Sequence, residues 1–306
     1  MKKVLTLSLL AASTIASPVG AQDPVALVIR VQGDVEVRHG DGSPAPAAVG
    51  EQMFVGDGVM PGDGSRAILV TSTGGQQVVT EETTMEAPRG TGNPDIFARA
   101  MRTLARAASA DGATGGRQGM IRPLTCGVAP ISPRNDLLVT GNTPTLMWSA
   151  IEGQTYDVAV QKLGSGERPQ VYEVGTDTTF TLPEGDALDN GARYAWTIIP
   201  GGRRTGRACE QMHFRTMSLE ESVELEDYMD EISVFGLDPM GDGLFLTVVA
   251  FRDLELFYDA RDALVDVERQ ASLSADLYLL LGEILTEIGE GEAARSAFDR
   301  ADELMR

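Results

Sequence analysis

The sequence predicts a multidomain protein in which two all-β modules precede an all-α domain of helical hairpins. Three observations support this fold class. Residues 25–86 combine short apolar runs with Gly-rich turns, a pattern typical of a compact β module. Residues 126–217 contain strand-like segments separated by turn residues at the intervals of a sandwich. Residues 218–306 show helical patterning and an internal repeat.

The composition of the chain excludes some classes of protein and of binding partner. The chain has 306 residues, of which 42% are hydrophobic, and this fraction is too high for a wholly disordered protein. Its formal net charge of −20 argues against nucleic acid and anionic membranes as partners, since both are bound by an excess of Lys and Arg. We therefore expect partners that are proteins, basic ones included.

The N-terminus has the pattern of a secretory signal peptide. Lys2 and Lys3 precede a mostly apolar run over residues 4–16, and small residues lead up to Ala21. We predict a signal peptide over residues 1–21 that is cleaved after Ala21; the alternative, an uncleaved anchor, is disfavoured because the apolar run is too short to span a bilayer. A periplasmic or secreted location without a transmembrane segment follows.

The first β module is predicted over residues 25–86. Val25 to Val31 form a continuous apolar run, and Val35 and Val37 alternate with polar residues as in a half-buried strand. A glycine pair between two strand-like segments predicts a hairpin: residues 67–71 and 76–80 flank Gly74-Gly75.

Four runs follow one another in this module: Gly33-Asp34-Val35-Glu36-Val37, Val49-Gly50-Glu51, Gly56-Asp57-Gly58-Val59 and Gly64-Ser65-Arg66-Ala67-Ile68-Leu69. In this order they resemble the FecR domain. The matching residues are turn formers and core apolar residues, so the resemblance implies a fold rather than a chemistry. For Asp57 we predict a structural role, in which its carboxylate binds turn amides.

Residues 87–125 are predicted to be a connector. Pro94 can open a short helix through about Ala110, which places Ile96, Phe97, Met101 and Leu104 on one side. We expect this helix to be solvated; the alternative is that its arginines dock on an acidic surface. Four glycines between Gly112 and Gly119 predict a flexible linker.

Residues 126–217 contain three characteristic runs: Pro144-Thr145-Leu146-Met147-Trp148, Gly153-x-x-Tyr156-x-Val158-x-Val160 and Gly191-x-x-Tyr194-x-Trp196-x-Ile198. These runs resemble those of a fibronectin type III or immunoglobulin-like domain. The resemblance implies a β-sandwich with Trp148 and Trp196 in its core. The alternative for these two rings is an exposed position from which they would stack on sugars.

Cys126 and Cys209, the two cysteines of the chain, flank this domain. An even pair in an oxidising compartment predicts one intramolecular disulfide; two buried free thiols and an intermolecular link are the alternatives. Neither cysteine lies in a C-x-x-C or metal-ligand spacing, which disfavours redox catalysis and a zinc site. The sequence carries no recognised catalytic motif, so it predicts a protein that is not an enzyme and needs neither cofactor nor metal.

The last domain is predicted over residues 218–306, with Ser218 as the N-cap of its first helix. Residues 34 apart then realign: Leu244, Phe251, Ala260 and Leu264 with Tyr278, Leu285, Ala294 and Phe298. This spacing resembles the tetratricopeptide repeat, in which a small residue lets two antiparallel helices approach closely.

The repeat resemblance implies a partner-binding groove on the first helix of each repeat. The corresponding positions are Phe245, Val249, Arg252, Leu279, Glu283 and Thr286. Packing of these positions against the preceding helix is the alternative.

These features together predict a non-catalytic periplasmic scaffold that binds other proteins. One alternative is a FecR-type regulator of envelope signalling, although such regulators carry a transmembrane helix where this chain has a cleavable signal. The other is a module that binds cell-wall glycan. The acidity is concentrated in residues 218–306, where 23 acidic and 6 basic side chains give a net charge of −17.

Overall fold

A computed structural model describes residues 23–89, 94–109, 126–201 and 208–306. The predicted signal peptide and the Gly-rich linker lie outside the described residues. Within them, the predicted order holds: β-sheets occupy the N-terminal and middle parts, and helices occupy the C-terminal part.

The N-terminal β module consists of two four-stranded antiparallel sheets, with the strand orders β4-β1-β6-β7 and β3-β2-β5-β8. The strands are β1 Ala26–Gln32, β2 Val35–Arg38, β3 Ala45–Pro46, β4 Gln52–Met53, β5 Gly58–Pro61, β6 Arg66–Thr71, β7 Gln76–Val79 and β8 Thr83–Thr84. The predicted hairpin is confirmed, because β6 and β7 pair antiparallel across the turn at Gly74, whose φ of +77° suits glycine.

The middle part is a sandwich of a five-stranded and a three-stranded sheet, with the orders β10-β16-β15-β12-β13 and β14-β11-β9. Its strands are β9 Pro130–Ser132, β10 Leu137–Val139, β11 Thr145–Trp148, β12 Tyr156–Lys162, β13 Gln170–Gly175, β14 Thr179–Thr181, β15 Arg193–Pro200 and β16 Met212–Thr216. Side chains of both sheets form one core around Trp148 and Trp196. β10 runs parallel to β16 and closes one edge of the larger sheet.

The predicted disulfide is confirmed. Cys126 and Cys209 are bonded, with their Cα atoms 5.3 Å apart and a sequence separation of 83. Cys126 precedes β9, and Cys209 stands just before β16, so the bridge joins the entry of the sandwich to its last strand.

Six helices are present among the described residues. They are α1 Pro94–Ser109, α2 Leu219–Val234, α3 Leu244–Asp253, α4 Phe257–Gln270, α5 Ala275–Glu287 and α6 Gly291–Leu304. Ser218 caps α2 as predicted: its hydroxyl accepts from the Glu221 amide, and the Glu221 carboxylate accepts from the Ser218 amide. Helices α3 and α4 form one antiparallel hairpin, and α5 and α6 form the next.

Gly282 allows α5 and α6 to approach closely. A Cβ atom at this position would stand 2.4 Å from Cε1 of Phe298, which is closer than two carbon atoms can lie. At the corresponding position of the first hairpin the chain has Val248, which is buried.

Replacing Gly282 by alanine is expected to destabilise the protein by about 1–3 kcal/mol, because the added methyl group must displace the Phe298 ring. Gly291→Ala is the matched control, since its Cβ would meet nothing within 4 Å and alanine favours the helix. Urea unfolding followed by circular dichroism measures both. Equal stability of the two variants would contradict the packing explanation.

Helix α1 joins the β module to the helical hairpins. Its buried residues, among them Ile96, Phe97, Ala100 and Leu104, belong to one hydrophobic core that also contains β1 and β6 of the β module and helices α3 to α6. The expectation of a solvated connector helix is therefore wrong. The physical reason is that its apolar stripe is covered by α3 and α5 on one side and by the sheet containing β6 on the other.

Candidate functional site

The predicted groove is filled by the chain itself. Helix α1 packs mainly on α3 and α5, the helices that carry the six groove positions. Phe245 and Val249 are 0% and 3% exposed and belong to the shared core. The prediction that these two side chains line an open groove is wrong, because α1 and the β module supply the apolar surface that a partner would have offered.

The other four groove residues serve internal contacts. Arg252 and Glu283 form an ion pair that joins α3 to α5, and both side chains are largely buried. Leu279 is half-buried against the shared core, and the Thr286 hydroxyl donates to the Gly282 carbonyl at 2.8 Å. The structure thus brings Arg252 and Glu283 together, but their ion pair is an internal contact between α3 and α5.

The arginines of α1 contact acidic and aromatic groups of the helical domain. The Arg99 guanidinium lies 4.3 Å from the centre of the Tyr228 ring and 3.8 Å from a Glu231 carboxylate oxygen, both on α2. Arg106 is 3.5 Å from Asp253 at the end of α3. Cation–π and ionic contacts of this kind add to the apolar burial of α1. The alternative hypothesis, an arginine-bearing helix docked on an acidic surface, therefore describes α1.

A backbone bridge joins the β module directly to the helices. The Val49 amide donates to the Ser272 carbonyl at 2.9 Å, and the Ser274 amide donates to the Val49 carbonyl at 3.0 Å. Next to this bridge, the Gln52 side chain donates to the Asp276 carboxylate at 2.9 Å. Burial raises the pKa of Asp276 although this hydrogen bond opposes the shift. The two modules therefore meet through main-chain bonds as well as through the core.

His39 holds the loop that makes this bridge. Its Nδ1 lies 2.7 Å from Asp57 Oδ2, and its Nε2 lies 2.9 Å from Glu51 Oε1. Asp57 also accepts from the Gly40 and Phe54 amides, which confirms its predicted structural role. Partial burial lowers the pKa of His39, but the hydrogen bonds and negative charges of the two carboxylates outweigh it and raise the pKa above 6.5.

The His39 contacts predict a pH dependence. A histidine whose pKa is raised by folding stabilises the folded state fully below its unfolded pKa of about 6.5, and this contribution is lost as the pH rises through the folded pKa. His39→Gln should therefore cost stability at pH 6, by less than about 1 kcal/mol because the ring is half exposed, and cost less at pH 9. NMR titration of the imidazole signals checks the raised pKa of His39 on which this prediction depends. The His213→Gln variant is used to assign the signals. A His39 midpoint below 6.5 would contradict the assignment of these contacts.

The sandwich is attached to the helices by a separate set of contacts. The Arg134 guanidinium donates to the Ile288 carbonyl at 2.9 Å, and the Arg134 amide donates to the Tyr258 hydroxyl at 3.2 Å. The Thr140 hydroxyl donates to the Asp259 carboxylate at 2.8 Å, and burial raises the pKa of Asp259. Leu138 and Met217 of the sandwich also form a small apolar cluster with Leu256 of the helical domain.

The two tryptophans of the sandwich are buried. Trp148 and Trp196 pack against each other with their ring centres 6.4 Å apart, and the Trp196 indole donates to the Pro133 carbonyl at 2.7 Å. Neither ring offers a free face to a sugar. The hypothesis that these tryptophans stack on cell-wall glycan is therefore wrong, and their predicted place in the core is confirmed.

The described residues contain no group of three or more His, Cys, Asp or Glu side chains placed to hold a metal ion. They also contain no helix that is long and apolar enough to cross a membrane.

Comparison with known proteins gives only distant matches to solved structures. No family model matches the chain, and no curated protein matches it. A solved cell surface anchoring domain is 19% identical, with a TM-score of 0.21, and covers 23% of this chain and 97% of its own. A two-domain fibronectin type III segment of chicken tenascin is 13% identical, with a TM-score of 0.22, and covers 65% of this chain and 87% of its own. Neither match supports a conclusion about function.

Proposed function

We propose that this chain is a non-catalytic protein of the bacterial envelope that binds protein partners through its acidic helical domain. The observation that supports the proposal is the concentration of charge, a net of −17 in residues 218–306, on a domain whose predicted groove is already closed. The electrostatic field of a domain with this net charge attracts basic partners and speeds their association. A partner would have to bind outside the groove, on the exposed faces of the helices.

Two further features are consistent with this function. The disulfide between Cys126 and Cys209 is typical of proteins that fold in an oxidising compartment, such as a periplasm. The shared core connects the β module to the helices, and hydrogen bonds at Val49 and Arg134 join the helices to the β module and to the sandwich. Modules connected in this way suit a scaffold. We also propose that the N-terminal module is FecR-like and that the hairpins are tetratricopeptide-like, on the sequence resemblances given above.

Affinity capture from envelope extract tests this function. The full chain must be used, since removing residues after Met217 would expose the core that the helices share with the β module. One variant neutralises four exposed carboxylates of the helical domain (E224Q, D227N, E292Q, D302N), and a control neutralises four of the sandwich (E152Q, E173Q, D177N, E184Q).

The expected result is a set of captured proteins that falls at least about threefold with the helical variant and in 0.5 M salt, where the screening length is only a few ångströms. The sandwich control should capture the same set as the unmodified protein. Equal capture by all three proteins, or no specific capture, would reject the proposed function.

A further inference from the structure

The outer face of α2 is an exposed helix surface of mixed apolar and acidic character. At 3.6 residues per turn, Leu219, Val223 and Val234 fall within about 60° of one another around the helix. These side chains are 69%, 55% and 88% exposed. Ile232 is the single fully buried residue of the helix. Helix α2 therefore packs against the rest of the protein through one side and exposes the other.

Carboxylates surround the apolar residues. Five acidic side chains of α2 are exposed and none is basic: Glu220, Glu224, Glu226, Asp227 and Asp230. Among the described residues, none of the five forms an ion pair, whereas Glu221 and Glu231 on the inner side pair with Arg215 and Arg99. The outer face therefore combines exposed aliphatic surface with negative charge that no described residue compensates.

The charge of the face identifies the kind of partner that fits it. A second copy of this chain would bring five more carboxylates against the first five, and like charges placed together oppose association. A basic segment would supply the missing counter-charges. The inner side of α2 already shows this chemistry, because α1 places Arg99 over the Tyr228 ring and beside Glu231 while burying its own apolar stripe.

We propose that the outer face of α2 is a docking site for a basic amphipathic helix of a protein partner. The partner helix covers Leu219, Val223 and Val234 with its apolar stripe and places Lys or Arg beside Asp227, Asp230 and Glu226. This is the helix-in-groove type of recognition applied to a helix face, with the arginine helix α1 as its counterpart inside the same molecule. The assignment rests on the proposed function and specifies which surface carries it.

The test measures binding of a fluorescein-labelled Leu/Lys amphipathic peptide of 14 residues to the full-length protein by fluorescence anisotropy. A Leu/Glu peptide of the same pattern and a scrambled Leu/Lys peptide serve as ligand controls. One protein variant removes the apolar residues (L219S, V223S, V234S), and a second removes the charges (E226Q, D227N, D230N). The matched control neutralises three exposed carboxylates on the outer side of α6 (E292Q, D299N, D302N).

We expect each α2 variant to weaken binding of the Leu/Lys peptide by about tenfold or more, because each removes several contacts of the same helix. The α6 control should bind within about twofold of the unmodified protein, and the Leu/Glu and scrambled peptides should bind at least about tenfold more weakly. Circular dichroism confirms that every variant is folded, as expected for substitutions of exposed side chains.

Equal weakening by the α2 and α6 charge variants would show nonspecific attraction to an acidic domain and overturn the assignment. No effect of the apolar variant would overturn it as well. If the assignment fails while envelope capture still depends on the helical carboxylates, the docking surface is elsewhere and the proposed function stands. If capture fails too, both are rejected.

Discussion

Leu104→Ala is expected to destabilise the β module and the helical hairpins together by about 2–5 kcal/mol. Leu104 is 1% exposed and lies in the part of α1 that packs between α3, α5 and the β module. Removing its isobutyl group leaves a cavity that borders both units, since both share one hydrophobic core. Hydrogen exchange followed by mass spectrometry resolves the effect, and peptides from β1, β6, α3 and α5 should all lose protection.

The control for this prediction is Arg102→Ala, an exposed position two residues earlier on the same helix. It should change the free energy of unfolding by no more than about 0.5 kcal/mol, as surface substitutions usually do. Loss of protection confined to α1 in the Leu104 variant would contradict the shared core.

Replacing both cysteines by serine is expected to destabilise the sandwich by about 4–5 kcal/mol. The bridge closes a loop of 83 residues, and in the chain-entropy treatment a loop of this length restricts the unfolded state by about that amount. Tryptophan fluorescence is the appropriate probe, because Trp148 and Trp196, the two tryptophans of the chain, both lie in the sandwich core. Urea unfolding should show a lower midpoint in the double variant.

The unmodified protein in a strong reductant is the control, since it loses the same bridge without new side chains. It should unfold close to the midpoint of the double variant. A shift of less than about 1 kcal/mol in both measurements would mean that the bridge adds little to the sandwich.

Much of the secondary structure could be predicted from local patterns. In the N-terminal β module, Val35 and Val37 alternate with polar residues along β2, and the glycine pair Gly74-Gly75 marks the hairpin between β6 and β7. Ser218 marks the start of α2 through its capping box. The strands β3, β4 and β8 cannot be predicted in this way, because two residues are too short to show a period. Main-chain pairing with neighbouring strands, which sequence does not reveal, defines them.

The placement of α1 could not be predicted in the same way. Its amphipathic pattern showed that one side would be buried, but the covering surface lies on α3 and α5, about 140 to 190 residues further along the chain. The same packing buries Phe245 and Val249. A groove inferred from one repeat therefore cannot account for a helix that comes from outside the repeat.

The charge pattern of α2 was visible in the sequence, but its exposed apolar residues were not distinguishable from core residues. Leu219, Val223 and Ile232 are all aliphatic, and their positions around the helix alone do not state which side meets α3. The structure separates Ile232, which is buried, from the other two, which are exposed. This difference in exposure identifies the outer face of α2 as one specific surface of the acidic domain.

Site-specific photo-crosslinking tests the central claim, that a protein partner binds the acidic helical domain on the outer face of α2, most directly. A benzophenone amino acid is placed at Val223 on the outer face of α2, or at Ser296 on the exposed side of α6, and the cells that make the protein are irradiated. We predict a discrete crosslinked partner from Val223, joined through a Lys- or Arg-rich segment, and none from Ser296. No crosslink from Val223, or the same products from both positions, would contradict the account.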